Sequence, residues 1–205
     1  MNPVREQFGD IDIYLFDQLL RGRFAPGMRI IDAGCGGGRN LVYLLRQGYD
    51  VAGCDRDHHA VEAVRALAAR LAPNIPGGNF RVEPIEAMSF PDACAEVVLA
   101  SAVLHFASDD AQFEAMVDEL WRVLKPGGML FARLASTIGM ESRVVRVQGR
   151  QHRLPDGSQR YLVDEECLVQ LTARLGGELF DPIKTTVVQD QRAMTTWVVR
   201  KAPAR

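Results

Sequence analysis

Short apolar runs alternate with segments of helical period along most of this chain, and that alternation is the signature of βαβ units and a largely parallel sheet. Met28 to Ala33 (M-R-I-I-D-A) reads as a first strand ending in glycines, and Leu41, Leu44 and Leu45 fall at helical spacing before Gly48. Asp50 to Cys54 is the next strand. Ala60 to Leu71 places Val61, Val64, Leu67, Ala68 and Leu71 on one helical stripe, stopped by Pro73. A short strand is expected near Phe80 to Val82. Glu96 to Val103 is almost wholly apolar, as a strand covered on both faces should be, and is expected at the centre of the sheet. Asp109 or Asp110 caps a helix through Phe113, Met116, Val117, Leu120 and Leu124, which Lys125-Pro126-Gly127-Gly128 ends, and Met129 to Leu134 is a fifth strand.

The last two strand-like runs, Ile183 to Gln189 and Met194 to Arg200, are joined by only four residues, Asp190 to Ala193. A parallel crossover needs a dozen or more, so this pair must be antiparallel. Between the fifth strand and a helix beginning after Asp164, the stretch from Ser136 to Val163 is polar and rich in arginine. Its Asp156-Gly157 turn predicts a hairpin excursion.

Composition narrows the partners. The 205 residues carry 24 Lys+Arg against 26 Asp+Glu, a formal net charge of -2, which is not the basic balance that phosphate contacts require, so no nucleic-acid partner is expected. Charged residues interrupt Met1 to Phe24, so neither a signal peptide nor a membrane segment is read there. Cys35, Cys54, Cys94 and Cys167 lie far apart without metal-binding spacing, and they read as free thiols in a reducing, cytoplasmic compartment with no metal implied.

In an open α/β sheet the ligand sits beyond the carboxyl ends of the strands. Here the first strand runs into Asp32-Ala33-Gly34-Cys35-Gly36-Gly37-Gly38-Arg39-Asn40, where glycines let backbone approach a ligand and the free N–H groups of a following helix can hold an anion. The dinucleotide pattern G-x-G-x-x-G fails, since Arg39 or Leu41 takes its last position, which weakens a nicotinamide oxidoreductase reading. What stands instead is an acid, then G-x-G-x-G, with a second acid, Asp55, closing the next strand.

This set resembles the class I S-adenosylmethionine (SAM)-dependent methyltransferases, whose D/E-x-G-x-G-x-G motif is matched at Asp32, Gly34, Gly36 and Gly38, whose second-strand acid is matched at Asp55, and whose turn before strand five is matched by Leu124 to Gly128. The resemblance implies a doubly wound, Rossmann-like α/β fold with a mostly parallel seven-stranded sheet and a C-terminal antiparallel hairpin. It implies one domain over 1–205, with an N-terminal helical lid over about 1–25 and an insertion over about 136–163.

It also implies cofactor contacts from Asp32, Gly34, Cys35, Gly36, Gly38 and Asn40 in the loop, from Asp55 and Arg56, from Glu86 and Ala87, and from Ser101 and Leu104. Asp55 can accept from both ribose hydroxyls, while Asp32 either serves the methionine ammonium or caps the glycine loop. Glu86 would read the adenine amine, with the N–H of residue 87 or 88 donating to the ring; the alternative is a solvated loop glutamate. His105 is the histidine on the acceptor side, a candidate for acid/base work or a packed structural residue. His58 and His59 read as surface residues at a helix start. Phe8 and Tyr14 either close over the cofactor or pack on the sheet edge.

The activity implied is methyl transfer to a small-molecule acceptor by in-line displacement, the alternative being a SAM-binding module without turnover. On the acceptor side Tyr14, His105, Arg153 and Arg160 are the candidates, with arginines of the insertion recognising a carboxylate or phosphate or simply keeping an exposed hairpin from pairing with other chains. The acceptor itself, and the oligomeric state, are left open.

Overall fold

The computed structural model describes residues 2–203. Two short helices, α1 (Pro3–Phe8) and α2 (Ile13–Leu20), precede β1 (Arg29–Ala33), α3 (Val42–Arg46), β2 (Asp50–Asp55), α4 (His58–Leu71), β3 (Phe80–Val82), β4 (Ala95–Ser101), α5 (Asp110–Val123) and β5 (Leu124–Ser136). The insertion follows as β6 (Val145–Gln148), β7 (Gln151–Arg153) and β8 (Gln159–Tyr161). The chain then completes α6 (Glu165–Arg174), β9 (Gly177–Leu179), β10 (Lys184–Val188) and β11 (Arg192–Lys201).

The main sheet runs β10-β11-β5-β4-β1-β2-β3, with β9 also pairing on β11. β1 pairs in parallel with both β2 and β4, and β4 with β5, whereas β11 is antiparallel to β5 and to β10. The expected apolar strand β4 is therefore central. β9 and β10 lie one after the other along the same partner, so eight strands fill the seven expected places. Between them comes Pro182, which cannot donate to a ladder.

Successive residues of the strands face opposite layers, and both layers are covered. Ile30 and Val198 pack with Leu44 and Val64 of α3 and α4, whereas Ile31 and Trp197 pack with Phe113 and Leu168 of α5 and α6. Asp109 caps α5 through Gln112 N–H, Asp164 caps α6 through Cys167 N–H, and Asp57 caps α4.

Two expectations change. Lys125-Pro126-Gly127-Gly128 lies within β5 as an outward bulge, because Ala95 pairs with Leu124 and Val97 already with Met129. The insertion is a three-stranded antiparallel sheet instead of a hairpin: the Asp156-Gly157 turn joins β7 to β8 as read, and β6 adds on the other side of β7. This small sheet is fastened to the core by Tyr161, whose ring stacks on Phe113 at 4.6 Å and whose hydroxyl donates to Asp110 at 2.8 Å.

Candidate active site

The strand order reverses at β1, between β4 and β2, so the crevice lies beyond the carboxyl ends of β1 and β4. Asp32, near the end of β1, is 1% exposed, and burial pushes its carboxyl up to about 7, with Arg39 opposing the shift and Asp55 adding to it. The glycine loop is tied to β2 by Gly34 N–H and Cys35 N–H, both donating to Cys54 O at 2.8 and 2.9 Å. A Cβ at Gly38 would come within 2.8 Å of Val64, so helix α4 packs directly on the loop backbone there. Gly36 faces open space, and its N–H donates to Asp55 Oδ2 at 2.9 Å. Asp55 Oδ1 accepts from Asp57 N–H at 3.0 Å, so each oxygen of this half-buried carboxylate retains a lone pair. Arg56 beside it is exposed.

Other residues of the expected cofactor set are placed differently. Cys35 and Leu104 are buried in the two core layers, so only their backbone can meet a ligand. Burial also pushes the Cys35 and Cys54 thiols far up, Cys54 to about 12, which makes them inert. Asn40 turns its Oδ1 to Asp12 N–H at 2.9 Å. The helix after the loop starts only at Val42 and has five residues, because reverse turns from Gly38 N–H to Cys35 O and from Leu41 N–H to Gly38 O intervene. The adenine-edge donors expected at 87 and 88 are taken: Ala87 N–H donates to Pro84 O at 3.2 Å and Met88 N–H to Glu119 Oε2 at 3.0 Å. Glu86 itself packs toward α5, accepting from Gln112 Nε2 at 2.6 Å while its Oε2 is buried without a partner. His58 and His59 stand exposed at the first turn of α4.

Beyond β4 a cavity of about 320 Å³ opens between the sheet and the insertion. Phe106, Leu154, Val188 and Met194 contribute apolar wall, and His105, Arg133, Arg160 and Arg192 contribute nitrogen. Ala102, where β4 ends, is held in the left-handed region at φ 62 and also borders the cavity. Arg160 lies 4.8 Å over the Phe106 ring. Arg153 is exposed and does not border the cavity; it closes strand β7 between buried His152 and buried Leu154, which follows the strand. Tyr14 is half-buried beside the Arg133 guanidinium, 5.2 Å from its ring centre, and its hydroxyl meets Thr186 Oγ1, fastening the N-terminal segment to β10. Phe8 stacks on Tyr43 of α3 at 4.9 Å and meets Phe16 of α2 edge-on at 4.8 Å.

A family model described as "Methyltransferase domain" matches residues 31–132, the stretch from β1 through β5 that builds this crevice. The chain belongs to the class I SAM-dependent methyltransferases. It is 35% identical over 139 residues to a ubiquinone biosynthesis O-methyltransferase of Methylocella silvestris, a match covering 64% of this chain and 52% of that protein. The chain thus spans about half the length of that relative. Among solved structures, a SAM-dependent methyltransferase from Methanosarcina mazei aligns with a TM-score of 0.72 at 22% identity, covering 91% of this chain and 98% of the other. The 1,6-didemethyltoxoflavin-N1-methyltransferase of Burkholderia thailandensis, with its substrate and S-adenosylhomocysteine bound, aligns at 0.70 with 18% identity over 97% and 81%.

The methyltransferase crevice has the chemistry that SAM needs. Asp32 is a buried carboxylate without a hydrogen-bonded partner among the described residues, which suits an ammonium group, and Asp55 presents free lone pairs beside the open face of Gly36. Ser101 Oγ accepts from Arg39 Nη2 at 3.2 Å, so Arg39 reaches across the strand ends from the glycine loop.

Sequence reading missed Arg39, Asp12, Arg133 and Arg192. A charged residue inside the apolar run Met129 to Leu134 was the available signal for Arg133, and Asp12 before I-Y-L-F was a visible cap. Arg192 carried no local signal, since the sequence puts it in the hairpin connection, whereas in the structure it opens β11 and pairs with Val188.

Proposed function

We propose that this chain transfers the methyl group of SAM to a small-molecule acceptor bearing an anionic group, bound in the cavity beyond β4. SAM supplies a methyl already activated by a positive sulfur, so the protein's work is alignment and exclusion of water. In this reading Asp55 accepts from the ribose hydroxyls, Asp32 faces the methionine ammonium, and the backbone of Gly34 to Gly38 lies against the ligand. Arg160, bordering the cavity, recognises the acceptor. The lid is the segment through α2, the insertion is the small sheet, and the whole is one domain.

The observation that carries the anionic acceptor is that Arg160 and Arg192 both border the cavity and neither forms an ion pair among the described residues. The names of the relatives, an O-methyltransferase and an N1-methyltransferase of small molecules, support a small acceptor. Four free cysteines support a reducing, cytoplasmic setting, and no described helix is long and apolar enough to cross a membrane.

The test is calorimetry with S-adenosylhomocysteine, followed by mass spectrometry of methyl transfer from SAM to a panel of small acids and their neutral isosteres. One-to-one binding and methylation confined to acids are expected. Binding with no turnover on any acceptor favours the SAM-binding module, and turnover on neutral compounds alone removes the anionic part.

A further inference from the structure

β5 runs past the end of β4, and the edge it leaves there is closed by other groups. Ala135 O accepts from Val163 N–H at 3.4 Å, and Ala135 N–H donates to His105 Nδ1 at 3.3 Å. A backbone N–H can only donate, so Nδ1 carries the lone pair and the proton of the neutral ring sits on Nε2. His105 is 7% exposed, borders the cavity, and its Nε2 makes no hydrogen bond within the described residues. The ring nitrogen available to the cavity is therefore a donor, and the lone pair a base would need is already used.

The one carboxylate bordering the cavity among the described residues, Asp156, is a weak base. It accepts from Ser158 Oγ at 2.6 Å and from Ser158 N–H at 2.9 Å, and these bonds, with smaller contributions from the charges of Arg160 and Arg192, hold its carboxyl below the usual range. Arg133, Arg160 and Arg192 are permanently protonated. Burial opposes protonation of His105 most, and the charges facing it from β8 and β11, Arg160 and Arg192, add to that.

Resting on the methyltransferase reading, we propose that His105 is a neutral hydrogen-bond donor which, with Arg192, holds an anionic oxygen of the acceptor, so that the acceptor enters as its oxyanion and the protein removes no proton. A lone pair of that oxygen forms the new O–C bond while the S–C bond breaks and its electron pair stays on sulfur, so an anion and a cation become two neutral groups. The acceptor's proton has already gone to solvent. The substrate class is a carboxylic acid, or an enol or phenol acidic enough to ionise beside these donors.

Histidine labelled with ¹⁵N tests the ring directly. In wild-type protein, with the His105 signals assigned by their loss in His105→Gln, the Nε2–H tautomer should persist without titrating from pH 7.5 to pH 5.5. An Nδ1–H tautomer, or a midpoint near the ordinary 6.5, overturns the proposal. Benzoate and benzamide are the probes for the cavity, since its apolar wall suits an aryl ring. Benzoate should bind at least tenfold more tightly than benzamide, move the Nε2 resonance, and bring no proton uptake when calorimetry is repeated in buffers of different ionisation heat. Arg192→Ala and His105→Leu should lose that preference, whereas His105→Gln, which keeps a donor, should retain most of it. Equal binding of the two probes, proton uptake with benzoate, or His105→Leu matching His105→Gln overturns the proposal. S-adenosylhomocysteine calorimetry on the same samples keeps the two readings apart: lost cofactor binding strikes the methyltransferase reading, and intact binding with a failed tautomer or probe result strikes only this one.

Discussion

The carboxylate of Asp12, ahead of α2, is buried against the guanidinium of Arg133 in β5, with Arg133 Nη1 2.6 Å from Asp12 Oδ2. The same carboxylate caps α2 through Tyr14 N–H at 2.9 Å, and Asp12 N–H donates to Asn40 beside the glycine loop. One residue thus joins the N-terminal segment, the loop and the wall of the cavity beyond β4.

Breaking this pair should be costly, because Arg133 would be left with a largely buried, uncompensated charge. Asp12→Ala is expected to lower stability by about 3 to 5 kcal/mol in urea denaturation. A loss under about 1 kcal/mol would show that solvent readily replaces the pair.

Asp55→Ala should weaken S-adenosylhomocysteine binding by about 1.5 to 3 kcal/mol, roughly tenfold to more than a hundredfold, since a doubly accepting carboxylate is lost. Calorimetry on protein with an unchanged circular dichroism spectrum decides it, and wild-type affinity would remove Asp55 from the site.

Asp32, pushed up to about 7, is largely protonated in the free protein at pH 6. An ammonium beside it favours the carboxylate, so binding should release a proton. Affinity for S-adenosylhomocysteine should then rise with pH between 5 and 7, by up to about tenfold per unit, and level off above 7. A flat profile across that window would place the ammonium elsewhere.

The same group shapes stability. An acid raised from 3.8 to about 7 is ionised in the unfolded chain before it is in the folded one, so its contribution falls as pH rises across that window, by about 4 kcal/mol. His105, lowered from 6.5 to about 4, acts oppositely: the unfolded chain takes up its proton first as pH falls, and about 3 kcal/mol is lost between 6.5 and 4. The two nearly cancel below pH 6.5. Asp32→Asn should therefore be more stable at pH 7 than at pH 5, and His105→Gln the reverse. Denaturation curves of both variants with the wild-type slope would show that neither group titrates as its surroundings imply.

What the sequence determined by itself was whatever is periodic or local. The alternation of runs set the sheet, the four-residue link Asp190 to Ala193 forced the antiparallel pair, and the spacing of Asp32, Gly34, Gly36, Gly38 and Asp55 marked the crevice. Pairings across the fold had no such mark. Arg133 meets an acid 121 residues away, and Arg192 reaches the cavity only because β11 folds back along β5. Glu86 lies in the turn Ile85–Ala87, whose neighbouring N–H groups go to Pro84 and Glu119, and that pairing depends on where α5 packs. The state of His105 was likewise decided in three dimensions. Its identity left acid/base work and a packed structural role both open, and the overhanging N–H of Ala135 takes the lone pair, because an unpaired strand edge in the interior must find an acceptor.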